Sequence, residues 1–227
     1  MTYRKLQAAA LEANLDLKKF GLVIFTWGNV SVRKDEVVAI KPSGVSYDVM
    51  KKKDIVIVDL EGRIVEGKLR PSVDLPTHLE LYRKFPEIGS IVHTHSPFAT
   101  AWAQKGRAIP VYGTTHADYF FGEVPCGRFL FEDEMDEYEK NTGKVIIETI
   151  GDGNPLAVPG CILQGHGVFA WGKDPKSAVH NAVVLEEIAK MAFYTEAIPG
   201  KNIRLPEYIL NKHYSRKHGK NATYGQR

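Results

Sequence analysis

Residues 90–97 read Ser-Ile-Val-His-Thr-His-Ser-Pro, and this stretch combines a strand, two histidines and the start of a helix. Ile91-Val92 predicts a buried strand that runs into His93-Thr94-His95. Ser96-Pro97 is typical of an N-cap residue followed by the first helical residue, so we expect a helix that runs through Gln104. A strand that leads directly into a helix indicates a mixed α/β chain.

The mixture of helices and strands continues over the rest of the chain, without the strict βαβ order of a doubly wound fold. The apolar periodicity predicts helices over residues 3–20 and 75–85, and a long helix from the N-cap Asp174 to about Tyr194. The acidic run 132–139 is typical of a solvated helix face. Strands are predicted at Leu22–Phe25, Val37–Ile40, Asp54–Asp59, Arg63–Glu66, Lys144–Ile150, Cys161–Leu163 and Val168–Trp171.

The composition is that of a globular protein. The chain has 227 residues, of which 44% are hydrophobic and 25% are charged. These fractions exclude a disordered, collagen-like or coiled-coil chain. We expect a single domain over residues 1–227. The formal charge of +3 is too small to favour a nucleic-acid partner.

Cysteine usage and hydropathy bear on where the protein works. Cys126 and Cys161 are too few for a disulfide framework and lack the spacing of a zinc ribbon. The N-terminus lacks the pattern of a secretory signal, and no apolar run approaches the roughly 20 residues of a membrane span. We therefore expect a cytoplasmic protein with no membrane partner.

The basic charge is concentrated at the C-terminus. Residues 201–227 hold seven basic residues and one acid, so this segment carries +6 and leaves −3 for the first 200 residues. Its Gly and polar residues are typical of a frayed tail.

The pair His93-Thr94-His95 is the sharpest candidate for chemistry. Side chains at positions i and i+2 of a strand point to the same face, so both imidazoles can share one metal ion. The segment Gln164-Gly165-His166-Gly167 follows another apolar strand and places a third histidine at a strand end. Three histidines with an open fourth position are the ligands of many catalytic zinc ions. The alternative is that backbone groups satisfy these histidines.

Three turns of small residues are candidates for binding a phosphate group. Each offers backbone N–H groups together with a hydroxyl, an amide or an amine. None has the spacing of a P-loop or of a dinucleotide-binding loop, and ordinary turn chemistry is the alternative. The turns are Trp27-Gly28-Asn29, Lys41-Pro42-Ser43-Gly44 and Arg70-Pro71-Ser72.

A polar run, Thr114-Thr115-His116-Ala117-Asp118-Tyr119, lies between apolar segments. Asp118 is either a general base or part of an Asx-type turn. The run by itself does not separate the two interpretations.

Taken in chain order, these motifs form a set that extends from Leu11-Glu12-Ala13-Asn14 to Tyr224-Gly225-Gln226. Between these ends lie Thr26-Trp27-Gly28-Asn29-Val30-Ser31, Lys41-Pro42-Ser43-Gly44-Val45, Pro71-Ser72-Val73-Asp74, His93-Thr94-His95-Ser96, Gly113-Thr114-Thr115-His116-Ala117-Asp118-Tyr119, His166-Gly167 with Phe169-Ala170-Trp171-Gly172, and Lys217-His218-Gly219. The ordered set resembles the class II aldolase/adducin-like family. The His-Ala-Asp-Tyr and Tyr-Gly-Gln pieces resemble its pentose-phosphate 4-epimerases more than its aldolases.

The resemblance implies a three-layer α/β/α domain with a central, mostly antiparallel sheet. It also implies a homotetramer with four-fold symmetry, in which residues 201–227 complete the site of a neighbouring subunit. One zinc ion per subunit is implied, with His93, His95 and His166 as ligands and Asp74 at or near the metal. By the same resemblance a phosphate is held by Gly28, Asn29, Ser43, Gly44, Ser72 and Val73, with Lys41 close by.

The activity that the resemblance implies is the interconversion of L-ribulose 5-phosphate and D-xylulose 5-phosphate. Cleavage of the C3–C4 bond, rotation of the aldehyde and re-formation of the bond would invert C4. The resemblance assigns proton transfer to Asp118 and to Tyr224 of a neighbouring subunit. The alternatives are an aldolase or a dehydratase of the same family, and a non-enzymatic adducin-like module.

Two positions distinguish this chain within the resemblance. The epimerase pattern usually reads Pro-Ser-Ser-Asp where this chain has Pro71-Ser72-Val73-Asp74. Val73 removes a hydroxyl but keeps its backbone N–H, and a charge-assisted hydrogen bond is worth roughly 1.5–3 kcal/mol. We therefore expect weaker phosphate binding, and the alternative is local compensation of the lost hydrogen bond. The aldolases commonly carry Glu at the position of Asp74, and the shorter Asp fits an epimerase.

Overall fold

A computed structural model describes residues 2–220, 222 and 223 of the chain. These residues form one α/β domain with an eight-stranded sheet. The strands are β1 (Asn29–Lys34), β2 (Val37–Ile40), β3 (Val56–Asp59), β4 (Ile64–Glu66), β5 (Ser90–Thr94), β6 (Cys126–Gly127), β7 (Gly160–Leu163) and β8 (Val168–Gly172).

Seven α-helices lie within the described residues. They are α1 (Tyr3–Lys19), α2 (Leu75–Lys84), α3 (Pro97–Lys105), α4 (Thr114–Ala117), α5 (Tyr138–Ile150), α6 (Pro175–Ala197) and α7 (Glu207–His218). Short 3₁₀ turns occupy Lys52–Asp54 and Glu132–Glu137.

The sheet has the order β4-β3-β2-β1-β5-β8-β7-β6. Neighbouring strands are antiparallel except for the pair β6 and β7, which is parallel. The central strand β5 pairs His93 with Asn29 of β1 on one side and with Phe169 of β8 on the other. Residues that are far apart in the chain therefore meet at the end of β5.

Helices cover both faces of the sheet. One apolar core lies under α1, α3 and α6 and includes Leu17, Trp102 and Leu185. The other lies under α2 and α5 and includes Tyr82 and Ile146. The expected three-layer α/β/α arrangement with a mostly antiparallel sheet is confirmed.

The strand that the sequence predicts at Lys144–Ile150 is wrong, because this segment belongs to helix α5. The β-branched run Val145-Ile146-Ile147 resembles a short buried strand. In the structure, however, the segment continues the helix that begins at Tyr138, with Thr142, Val145 and Ile146 buried on the side that meets α2. The apolar positions fit a helical period once the polar residues before them are included.

The strand that the sequence predicts at Leu22–Phe25 is wrong, because the first strand begins at Asn29. Leu22–Phe25 forms no strand, and the chain pairs only from Asn29 onwards. The polar residues Asn29 and Ser31 obscure the apolar alternation of Val30 and Val32. Both polar side chains are buried, at 1% and 0% exposure, because partners elsewhere in the fold bind them.

The C-terminal segment contains a helix where the composition is typical of a frayed tail. Helix α7 runs from Glu207 to His218 and contacts α4. It has no buried residue of its own and is attached by the ion pair of Arg216 with Asp118 and by the contact of Tyr214 with Phe121. Among the described residues, no helix is both long and apolar enough to cross a membrane.

Candidate metal and phosphate site

Three histidines meet at the end of the central strands. One ring nitrogen each from His93, His95 and His166 lies within 4.8 Å of the others. The Nε2 atoms of His93 and His95 are 3.1 Å apart. His93 lies within the buried strand β5, His95 lies one residue beyond the strand, and His166 lies in the turn between β7 and β8. The structure thus brings together the three histidines that the spacing indicates.

The orientation of His93 favours a metal. Its Nδ1 lies 2.9 Å from the carbonyl oxygen of Val168, and a carbonyl only accepts, so Nδ1 carries the proton. The ring also stacks on Phe169, with centroids 4.3 Å apart. The lone pair of Nε2 therefore faces the other two histidines, as in metal-binding histidines oriented by a backbone carbonyl.

The protonation of the other two histidines also fits a metal. Burial, together with the neighbouring histidines His93 and His95, lowers the pKa of His166 to about 3. Burial and His93 likewise lower the pKa of His95. The Nδ1 of His166 is buried without a hydrogen-bond partner among the described residues. Metal ligands must be neutral imidazoles, and this set of donors fits a zinc ion.

Asp74 joins the histidines from the start of α2. Burial raises its pKa, but His93, His78 and a hydrogen bond from Asn29 outweigh that effect, so the pKa is lowered. The Asn29 amide donates to Asp74 Oδ2 over 2.7 Å, and the Ser72 hydroxyl donates to the same oxygen over 3.2 Å. A carboxylate is therefore held beside the histidines.

The turns that suit a phosphate lie next to this carboxylate. The Ser43 N–H donates to the Arg70 carbonyl over 3.0 Å, and the Ser72 N–H donates to the Lys41 carbonyl over 2.9 Å. The amide of Asn29 also donates to the Ser72 hydroxyl, over 3.1 Å. These bonds hold the three turns of the sequence prediction in one place.

Gly28 is required by the close approach of the chain to β5. Its φ is +70°, and a Cβ there would lie 2.7 Å from the carbonyl oxygen of His93 and 2.8 Å from Val23. No side chain fits in that space. The turn at Gly28 therefore lies directly against the backbone that carries the histidines.

Lys41 is the buried cation of these turns, with only 2% exposure. Its Nζ donates to the carbonyl of Thr26 over 3.2 Å and lies 5.0 Å from the centre of the Tyr47 ring. Burial lowers the pKa of Lys41 to about 8, although the charge of Asp74 opposes that shift. Lys41 is therefore a cation close to losing its proton at mildly basic pH.

One cavity of about 560 Å³, here called the histidine cleft, joins the three histidines to the turns that suit a phosphate. The side chain of Val73 is 63% exposed and lies on its wall. The residues predicted to bind the metal and the phosphate all line it, together with Thr26 and Trp27. They are Gly28, Asn29, Lys41, Ser43, Gly44, Ser72, Val73, Asp74, His93, His95 and His166.

Asp118 lies elsewhere, at the end of α4. Its carboxylate accepts two hydrogen bonds from Arg216 of α7, over 2.9 and 3.1 Å, and lies 3.0 Å from Nδ1 of His213. Burial raises the pKa of Asp118, but the hydrogen bonds from Arg216 and His213 outweigh it, so the pKa is lowered. The Nε2 of His218 lies 3.0 Å from the Asp118 carbonyl oxygen. Tyr224 lies outside the described residues.

The sequence prediction omits two residues that support the site. The Tyr47 hydroxyl lies 2.8 Å from the carbonyl oxygens of Trp27 and Gly28, a contact with no local sequence signal. His78 is fully buried behind Asp74, with Nδ1 2.7 Å from the Ser31 hydroxyl. Its position four residues after Asp74 puts both on one helix face, which is a usable signal.

The chain is similar to a known protein family and to several solved structures. Residues 8–193 match the model of the class II aldolase and adducin N-terminal domain. An L-fuculose 1-phosphate aldolase is 23% identical with a TM-score of 0.80, covering 93% of this chain and 95% of its own.

Two further solved structures have the same fold. The L-fuculose-1-phosphate aldolase from Thermus thermophilus is 28% identical with a TM-score of 0.69, covering 86% of this chain and 97% of its own. A putative aldolase/epimerase/decarboxylase from Klebsiella pneumoniae is 20% identical with a TM-score of 0.75, covering 93% and 99%. Because the family model matches most of its length, the chain belongs to the class II aldolase and adducin N-terminal domain family.

Proposed function

We propose that this protein is a zinc-dependent 4-epimerase that interconverts L-ribulose 5-phosphate and D-xylulose 5-phosphate. The observation that carries the proposal is the histidine cleft, which joins three clustered histidines to turns that suit a phosphate. A sugar phosphate can place its phosphate on the turns and its carbonyl and hydroxyl oxygens at the histidines.

The substrates differ only at C4, which is not adjacent to the carbonyl at C2. Removing a proton directly from C4 is therefore difficult. Cleavage of the C3–C4 bond avoids this, because it yields the enediolate of dihydroxyacetone and glycolaldehyde phosphate. Rotation of the aldehyde and re-formation of the bond on its other face then invert C4.

The residues of the cleft divide this work between them. His93, His95 and His166 would hold the zinc ion, with Asp74 beside them. When bound, zinc supplies Lewis acidity that stabilises negative charge developing on substrate oxygens. The phosphate is held by Gly28, Asn29, Ser43, Gly44, Ser72, the backbone of Val73 and Lys41, so that the aldehyde fragment rotates without leaving.

Proton transfer at the C4 oxygen needs one group for each face of the aldehyde. We assign these roles to Asp118 and Tyr224, acting on the cleft of a neighbouring subunit of a homotetramer. Two observations on Asp118 support this assignment. Asp118 is absent from the lining of its own cleft, and it binds α7, the helix that precedes Tyr224 in the chain.

Removal of either group should stop the reaction without removing the metal. We expect Asp118→Asn and Tyr224→Phe each to lower kcat by about 10²- to 10⁴-fold, because general acid–base catalysis contributes about that factor. Zinc content, measured by elemental analysis, should stay at the wild-type level. Wild-type turnover in either variant would refute that assignment.

A direct assay tests the function itself. We expect purified protein to convert L-ribulose 5-phosphate to D-xylulose 5-phosphate, to lose this activity on chelation and to regain it with Zn²⁺. Full activity in metal-free protein would refute the mechanism. An aldolase of the same family is the alternative, and two of the similar solved structures are L-fuculose 1-phosphate aldolases. Release of free aldehyde from L-ribulose 5-phosphate or fuculose 1-phosphate in a coupled assay would support it.

A further inference from the structure

Helix α3 begins two residues after His95, and the start of a helix leaves backbone N–H groups that need acceptors. The N-cap residue Ser96 makes no side-chain hydrogen bond to the helix. Pro97 has no N–H, and the N–H of Thr100 donates to the Ser96 carbonyl over 2.9 Å. The N–H groups of Phe98 and Ala99 therefore depend on a partner from outside the helix.

Glu186 of α6 supplies that partner. Its Oε1 accepts from the Phe98 N–H and its Oε2 accepts from the Ala99 N–H, both over 2.9 Å. The side chain is only 8% exposed, and negative charge is favourable at the N-terminus of a helix. One carboxylate from a distant part of the chain thus completes the first turn of α3.

This contact matters for the three histidines because of where His95 lies. His93 lies within β5, and its Nδ1 is bound to the Val168 carbonyl. His95 lies beyond the last residue of β5 and is more exposed than His93. Its backbone is therefore held by the end of the strand on one side and by the start of α3 on the other.

We propose that Glu186 is a positioning residue for the metal centre, which holds His95 beside His93 and His166 by anchoring the first turn of α3. The inference rests on the proposed function, because it takes the three histidines to be metal ligands. The side-chain hydrogen bonds of Glu186 go to Phe98 and Ala99, and neither residue lines the histidine cleft. It acts through Phe98 and Ala99.

The test compares Glu186→Gln with Glu187→Gln. Glu187 is the next residue of the same helix and is exposed, so its variant makes the same chemical change without touching α3. In Glu186→Gln, the new side-chain amide would turn a donor toward one of the two N–H groups. The zinc dissociation constant of each folded variant is measured by competition with a fluorescent chelator. Amide exchange of residues 95–100 is measured in metal-free protein.

We expect Glu186→Gln to weaken zinc binding about tenfold, since loss of a group that orients a metal ligand costs about 10- to 100-fold in affinity. Exchange at residues 95–100 should accelerate in this variant alone. The epimerase activity should fall at limiting zinc and recover at saturating zinc. Wild-type zinc affinity in folded Glu186→Gln would overturn the proposal.

Two further variants keep the test decisive. Glu186→Asp keeps the charge but shortens the side chain, so it should lose zinc affinity to a smaller extent, and it carries the test if Glu186→Gln does not fold. Unchanged affinity in Glu186→Asp would then overturn the proposal. His93→Ala tests the metal centre separately: if it binds zinc as tightly as wild type, the proposed function is wrong, whatever Glu186 does.

Discussion

At the scale of single residues, Lys41 is a group whose charge changes at mildly basic pH. Burial lowers its pKa to about 8, from an ordinary value of 10.5. Above that pH the free enzyme has a neutral amine beside the phosphate turns, so kcat/KM should fall as pH rises through about 8. A pH profile of kcat/KM measures this limb.

The matched variant for that profile is Lys41→Met, which cannot carry a charge at any pH. We expect it to have a lower kcat/KM below pH 8 and to lose the descending limb. If the variant keeps the limb, a group other than Lys41 titrates there.

A second prediction at this scale concerns Val73. It lies exposed on the wall of the histidine cleft, so a hydroxyl placed there has access to a bound phosphate. We expect Val73→Ser to lower KM by about tenfold, because one charge-assisted hydrogen bond contributes about 1.5 kcal/mol. Val73→Ala is the control, since it removes the methyl groups without adding a donor. Equal KM values in the two variants would contradict the expectation.

At the scale of elements, the start of α6 shows how local sequence specifies a helix. Asp174 Oδ1 accepts from the Ser177 N–H over 2.8 Å, and the Ser177 hydroxyl oxygen accepts from the Asp174 N–H over 3.1 Å. This is a reciprocal capping box, and the sequence predicts its N-cap from Asp174-Pro175. Loss of such a cap costs about 1 kcal/mol.

The capping prediction is tested by Asp174→Ala, with Asp152→Ala as the control at an exposed turn. We expect a lower free energy of unfolding by about 1 kcal/mol for Asp174→Ala, measured by denaturant titration, and little change for Asp152→Ala. Equal midpoints for both variants would show that α6 does not depend on its cap.

Elements whose signals are local are predicted well, and elements that depend on distant partners are not. Val37–Ile40 and the N-cap of α3 are confirmed as expected. The strand predicted at Lys144–Ile150 is wrong, because packing of Val145 and Ile146 against α2 overrides the preference of β-branched residues for strands.

At the scale of the whole molecule, complementation tests the proposal that each site is built from two neighbouring subunits. A subunit with Tyr224→Phe keeps its histidines, and a subunit with His93→Ala keeps Tyr224. If each site combines histidines from one subunit with Tyr224 of its neighbour, mixed tetramers contain some intact sites. We expect the mixture to recover up to about a quarter of wild-type activity, as random association of two subunit types implies.

The measurement is the epimerase activity of the two variants, dissociated and reassembled together, against each variant reassembled alone. Light scattering establishes the assembly state of all three samples. If the mixture stays as inactive as its parents while tetramers form, Tyr224 and the histidines of one subunit serve the same site.

The local chemistry of this protein can be read from its sequence. The spacing of His93 and His95, the glycine and serine turns, and the capping box of α6 follow from residues that are close together in the chain. Only the tertiary structure decided how these pieces meet. The pairing of β5 between β1 and β8 brings His166 and Asn29 to His93, and the fold buries Glu186 against α3. The physical reason is that backbone preferences act over a few residues, whereas contacts between distant residues depend on which strands and helices pack together.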